Sequence, residues 1–175
     1  MKALTLHQPW ASLIAVGAKK IETRPWSTKY RGPLAIHAGK HRPRSWWSNI
    51  HHNDDYRYAP EVIRAATLLD DTMEVDGAYW TAEESSNGED WYHRWRGPLG
   101  AVVATAQLVD VVRVTEGTDC AGRPWLDGGP FSVDLDQLPF GDFTPGRYAW
   151  LLENIEPLAV PVPAKGKQGL RTWAA

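Results

Sequence analysis

The sequence predicts an α+β domain built around a small mixed β-sheet or barrel, with two or three short helices. Two observations carry this. Several segments alternate or run β-branched over strand lengths, and the amphipathic stretches of helical period are few and short. Glycine and proline punctuation separates them. A chain of 175 residues suits one domain, 1–175, with one elaboration inside it.

Taken in order, "KALTL" (2–6) alternates and predicts a strand. "HQPWASLIAVG" (7–17) predicts a short helix. Pro9 suits its first turn, Trp10, Leu13 and Ile14 share a face, and Gly17 suits the stop. "KKIETRPW" (19–26) starts extended and breaks at Pro25, and "GPLAIHAGK" (32–40) predicts a strand between Gly-Pro and Gly39. Residues 42–98 lack steady periodicity apart from a predicted helix at "PEVIRAATLLD" (60–70), and are read as an acidic insertion decorating the core. "GAVVATAQLVDVVRV" (100–114) predicts a long, largely buried strand, and "GTDCAGRPWLDGG" (117–129) a loop. "GRYAWLLENIEPL" (146–158) predicts a strand closed by Pro157. The tail "VPVPAKGKQGLRTW" is extended, and its glycines and closing "LRTW" read as a docked segment rather than a free end.

The net charge of −2 hides an asymmetry: residues 1–44 carry a net +8, residues 45–100 a net −7. A local basic face can therefore attract an anion such as a nucleic-acid backbone although the whole chain is slightly acidic. No apolar run approaches the ~18 residues of a membrane-spanning helix, and the N-terminal apolar stretch is too short for a secretory signal. With the single Cys120 there is no intrachain disulfide and no cysteine zinc cluster, and the expected location is cytoplasmic. Ten tryptophans need partners for their indole N–H groups and offer faces for stacking.

Several chemistries are set aside at this stage. In "HHNDD" (51–55), neighbouring side chains point apart on a strand and diverge by about 100° on a helix, so a solvated loop explains them better than a metal site. No HExxH, GxSxG or phosphate-loop pattern occurs, and neither metal nor cofactor is expected. The segment around "KKIETR" is more informative. In an extended chain Lys20, Glu22 and Arg24 share one face and Lys19, Ile21 and Thr23 the other, unless a turn at 18–19 brings Lys19 to the polar side. A carboxylate between cations stays ionised and fixes their geometry. A salt-bridged surface strand carries the same pattern, as does one wall of a binding cleft. His37 in "LAIHA" suits a structural hydrogen bond, with Lys40 close by in sequence; Lys165, Lys167, Gln168 and Arg171 form a third polar group, in the tail.

Together these residues resemble the ASCH domain family (activating signal cointegrator homology), a branch of the PUA-like superfamily. "LHQPWASLIAVGAKKIETRPW" resembles its signature, with the G-x-K-x-x-E-x-R pattern met at Gly17, Lys19, Glu22 and Arg24. "YRGPLAIHAGK", "GRYAWLLENIEPL" and "KGKQGLRTW" resemble stretches of bacterial and phage members. The resemblance implies a small PUA-like mixed β-barrel with a helix beside a cleft that the motif residues line. It also implies RNA, or a modified single-stranded base, as the ligand, with an aromatic such as Trp10, Trp26 or Trp150 available for stacking at about 1–3 kcal/mol per base. The expected nucleic-acid-binding residues are Lys19, Lys20, Glu22, Arg24, Trp26, His37, Lys40, Lys165, Lys167, Gln168 and Arg171. Some relatives are amidohydrolases of N4-acetylcytidine and others are described as ribonucleases, which would make Lys19 and Glu22 catalytic. Lys19 matches the amidohydrolase lysine, whereas Glu22 stands where those enzymes place threonine, and no partner glutamate aligns. A third reading is an adaptor that binds a protein partner through the acidic insertion.

Overall fold

The computed structural model describes residues 1–41, 98–127 and 132–174. The predicted helix at 60–70 and the insertion 42–98, but for its last residue, lie outside them. In chain order the elements are β1 (Lys2–Leu6), α1 (Trp10–Ala15), β2 (Ile21–Arg24), β3 (Gly32–Ala38), β4 (Ala101–Thr118), β5 (Pro124–Leu126), a 3-10 helix (Leu135–Phe140), β6 (Tyr148–Pro163) and β7 (Leu170–Thr172). None of the described helices is long and apolar enough to cross a membrane.

The strands form one mixed sheet in the order β2-β6-β4-β3-β1-β7, with β5 attached to β4. Among the described residues only β1 and β3 run parallel; the other neighbours are antiparallel. Among the described residues the two ends of the path, β2 and β7, do not pair, so the sheet is open where the resemblance implied a closed barrel. Both end strands are short, of four and three residues, and each is hydrogen-bonded along one side.

Alternation along β1 and β3 separates two faces. Leu4, Leu6, Leu34, Ile36 and Ala38 point to the side where α1 packs, and there they join Ala11, Ile14, Leu108, Trp150 and Leu152 in the main core. Ala3, Ala35 and Val102 point the other way and are covered by Leu158, Ala164 and Trp173. The tail is thus docked: β7 pairs with β1, and the backbone of Trp173 bonds Met1.

Two expectations need correction. Pro157 does not end β6, which continues to Pro163 along β4. Pro157 faces Ala104 between two shifts of register, and beyond Leu151 β6 has no described strand on its other side; proline is tolerated at such edges and bulges. The stretch 117–129 is not all loop either. β4 extends to Thr118, and β5 returns along it with Leu126 opposite Val114. Glycine and proline masked that short hairpin in the composition.

Candidate functional site

The site begins where α1 ends. Gly17, at φ +77°, takes the left-handed conformation that releases a helix, and the N–H of Lys19 then donates to the carbonyl of Leu13 at 3.0 Å. This turn folds residues 18–20 back over the helix end. Gln137 of the 3-10 helix clamps it: its Oε1 accepts from the N–H of Lys20 at 2.7 Å and its Nε2 donates to the carbonyl of Ala18 at 3.1 Å. The turn, not strand alternation, therefore decides where Lys19 points. It joins the same side as Glu22 and Arg24.

Lys19 is 1% exposed. Its ammonium donates to the carbonyl of Ile21 at 2.7 Å and to the carbonyl of Phe140, and lies 3.2 Å from Oε2 of Glu22. It also stands 5.6 Å from the centre of the Trp10 ring, a cation–π distance. Glu22, itself buried, turns its other oxygen toward Arg24, whose Nε lies 3.0 Å from Oε1. Arg24 then reaches β1, donating through Nη2 to the carbonyl of Thr5 at 2.8 Å. The result is a continuous chain, Lys19–Glu22–Arg24–Thr5, with a net charge of +1 across its ionic members. Burial pulls the Lys19 ammonium below the ordinary lysine value, and the Glu22 carboxylate opposes that shift.

A second set of groups meets at the far end of this chain, where the parallel strands β1 and β3 finish. The Thr5 hydroxyl accepts from the backbone N–H of Lys167 at 3.3 Å. Gly39 N–H donates to Leu6, Gly100 N–H to Ala38, and Ala164 N–H to Gly100, so residues 5–6, 38–40, 100 and 164–167 are stitched side by side. Lys40, Lys165 and Lys167 are all exposed here, and a side chain at Gly100 would press on the Lys40 stem, its Cβ only 3.0 Å from Lys40 Cγ.

His37, opposite Thr5, is fully buried. Its Nε2 lies 2.9 Å from the carbonyl of Ala164. Burial holds it below the ordinary histidine value; the Ala164 bond opposes this and the Arg171 guanidinium reinforces it. The Nε2 bond is therefore an N–H donation from a neutral ring. This is the structural hydrogen bond expected of a strand histidine, and it anchors the tail.

Of the residues singled out from sequence, Lys19, Glu22 and Arg24 are in contact, and Lys40, Lys165 and Lys167 gather beyond Arg24. Gln168 is exposed in the same tail segment. Lys20 is exposed at the turn, with its backbone held by Gln137. Trp26 is half-buried, with its ring edge-on to Trp150 at 4.7 Å and 83°. Trp150 has no exposed surface, donates from its indole to the carbonyl of Trp26 at 3.4 Å, and so presents no face to a ligand. Sequence reasoning missed Thr5, Gln8, Gln137 and the carbonyl of Phe140. Gln8 is buried, bonds Ser12 twice and donates to the carbonyl of Pro98 at 2.9 Å, tying the start of α1 to the approach of β4. The only sequence signal for Gln8 was its place beside Pro9 in the motif; Gln137 had none.

The ASCH domain model matches residues 4–124, which is more than half of the chain. Activating signal cointegrator 1 of Mus musculus is 52% identical over 40 residues, and that of Homo sapiens 50% identical over 40 residues. In each case the match takes in 23% of this chain and 7% of the relative, so this chain spans a small part of those proteins. The matched family region stops short of β6 and β7, yet β6 pairs with β2 and β4 and β7 with β1, so the sheet continues past it. The chain belongs to the ASCH domain family.

Proposed function

We propose that the protein binds nucleic acid, RNA or a single strand bearing a modified base, along the basic end of the β1–β3 pair and the Lys19–Glu22–Arg24 chain beside it. The observation that carries this reading is the convergence of Arg24, Lys40, Lys165 and Lys167, from three separate segments, around Thr5, Gly39 and Gly100. Cations gathered this way meet phosphates, while the Glu22 carboxyl group, set between Lys19 and Arg24, offers an acceptor to a base amino group or a hydroxyl. The resemblance to bacterial and phage members, a PUA-like barrel, and a single domain 1–175 with 42–98 as its insertion belong to the same proposal.

The test is fluorescence anisotropy with single-stranded RNA over a range of salt. Affinity is expected to fall steeply with salt as bound phosphates release counterions, and Lys40→Ala, Lys165→Ala and Lys167→Ala together are expected to flatten the log–log slope by about 2, at roughly 0.7 per phosphate contact. Binding that ignores salt, or a slope unchanged in the triple variant, refutes the reading.

A hydrolase reading draws on the lowered pKa of Lys19. Against it, the three N–H donors of the ammonium are directed at Ile21, Phe140 and Glu22, whereas a nucleophilic amine needs a free lone pair. The Thr23 hydroxyl is likewise engaged, accepting from the N–H of Asp142 at 3.1 Å. Turnover of N4-acetylcytidine by the wild type, lost in Lys19→Ala and Glu22→Gln, would favour the hydrolase instead.

A further inference from the structure

On the face of the sheet turned away from α1, Arg171 of β7 stands directly across from Ala3 of β1, and Ala3 across from Ala35 of β3. Residues opposite one another share a face, so Arg171 projects from the same face as Ala3 and Ala35, two small residues with no exposed surface. His37, two positions beyond Ala35, projects from the same face, as its bond to Ala164 requires. Three polar atoms in this region are buried and have no hydrogen-bond partner among the described residues: Nε and Nη2 of Arg171, and Nδ1 of His37.

The identity of the first two matters. Nε–H and Nη2–H form one edge of the guanidinium, and they are the parallel pair that grips two oxygens of a phosphate or carboxylate. A buried donor left unsatisfied forfeits its hydration without compensation, and the loss is larger for a charged group. The third atom has the opposite sense. Because Nε2 of His37 donates to Ala164, Nδ1 of the neutral ring carries a lone pair and accepts a hydrogen bond. A guanidinium edge that wants two oxygens and an imidazole nitrogen that wants a hydroxyl or amino proton thus share one face.

Building on the nucleic-acid reading above, we propose that Arg171 and His37 form a ribonucleotide subsite: phosphate oxygens on the Nε/Nη2 edge of Arg171, and the ribose 2′-hydroxyl donating to Nδ1 of His37. The 2′-hydroxyl is the group by which a protein distinguishes RNA from DNA. The subsite adjoins the basic patch through Thr5, which stands opposite His37, accepts from Lys167 through its hydroxyl and from Arg24 through its carbonyl. Gly166 sets its edge. A Cβ there would lie 2.8 Å from His37 Cε1 and 3.2 Å from Nδ1, so glycine brings the tail backbone against the imidazole.

The experiment has two arms. In the first, the wild-type arginine Nε–H resonances are followed by NMR during titration with uridine 5′-monophosphate and with its 2′-deoxy analogue. The Arg171 resonance is expected to move with both, and the His37 Nδ1 resonance with the ribonucleotide alone. In the second arm, anisotropy compares RNA and DNA oligomers of one sequence. Arg171→Lys, which keeps the charge and loses the two-pronged edge, is expected to weaken both by about tenfold. His37→Gln, which retains a donor toward Ala164 and removes the Nδ1 acceptor, is expected to weaken RNA alone, bringing the RNA:DNA affinity ratio toward one. An unmoved Arg171 resonance, or a His37→Gln effect equal on RNA and DNA, overturns the subsite. If the monophosphate shifts Arg171 while no oligomer binds, the subsite stands and the strand-binding function of the preceding section fails.

Discussion

Glu22→Gln tests the central pairing directly, because it removes one charge while keeping shape. In the folded protein the carboxylate lies 3.2 Å from the Lys19 ammonium and 3.0 Å from Arg24 Nε, and Glu22 and Lys19 are both buried. With an effective dielectric of about 20, each contact is worth on the order of 5 kcal/mol before desolvation is counted. A glutamine oxygen still accepts one hydrogen bond, so only part of that is lost, and breaking a buried pair from one side costs about 3–5 kcal/mol. For a chain of this length that corresponds to a fall in Tm of roughly 6–20 °C, at about 2–4 °C per kcal/mol. The assay is urea unfolding followed by tryptophan fluorescence, with Trp10 and Trp150 in or beside the affected region, and the m-value is expected to stay constant. The double variant Lys19→Met/Glu22→Gln is expected to cost less than the two single changes summed, with a coupling of about 1–3 kcal/mol. A Glu22→Gln cost below about 1 kcal/mol, the range of solvated surface pairs, would refute the argument that this is a buried electrostatic unit.

Other outcomes follow from the same structure. His37 has its pKa lowered from 6.5 by burial, so the unfolded chain takes up a proton before the folded one does; stability is complete above pH 6.5 and declines as pH falls toward the folded value. Urea midpoints at pH 7 and pH 5.5 should therefore differ more in the wild type than in His37→Gln, and an equal difference would rule out this histidine as the cause. Gly166→Ala should cost about 1–3 kcal/mol by overpacking against the His37 ring, measured by thermal melting, and a neutral result would mean that the tail does not rest on the imidazole. Asp119 accepts from the backbone N–H of Arg123 at 3.0 Å and of Ala121 at 2.9 Å, and its carboxyl is held down at about 2. Its contribution is present above 3.8 and is lost as pH falls toward 2; a carboxyl carbon resonance titrating near 3.8 would show that the turn does not form.

Local physical chemistry made much of this protein legible from its residues. β1, β3 and the body of β4 announce themselves by alternation and β-branching, and α1 by its apolar face and Gly17, because strand and helix periods act over a few residues. The G-x-K-x-x-E-x-R spacing likewise marked Lys19, Glu22 and Arg24 as one unit. What that spacing left open was on which side Lys19 would fall. The answer came from Leu13, Gln137 and Phe140, the last two more than a hundred positions away along the chain. Three of the contacts that capture Lys19 are backbone carbonyls, those of Leu13, Ile21 and Phe140, which every residue possesses, so no side-chain pattern advertises them. The same holds for Arg24 on the carbonyl of Thr5 and His37 on that of Ala164. Pro157 misled for the opposite reason. Its local preference for ending a strand is real, but at a register shift on an edge there is little ladder to break. Periodicity along the chain determined the elements; the return of the tail after β6 decided which cations meet, because only its docking beside Thr5 and Gly100 brings Lys165 and Lys167 to the end of the sheet that Lys40 and Arg24 share.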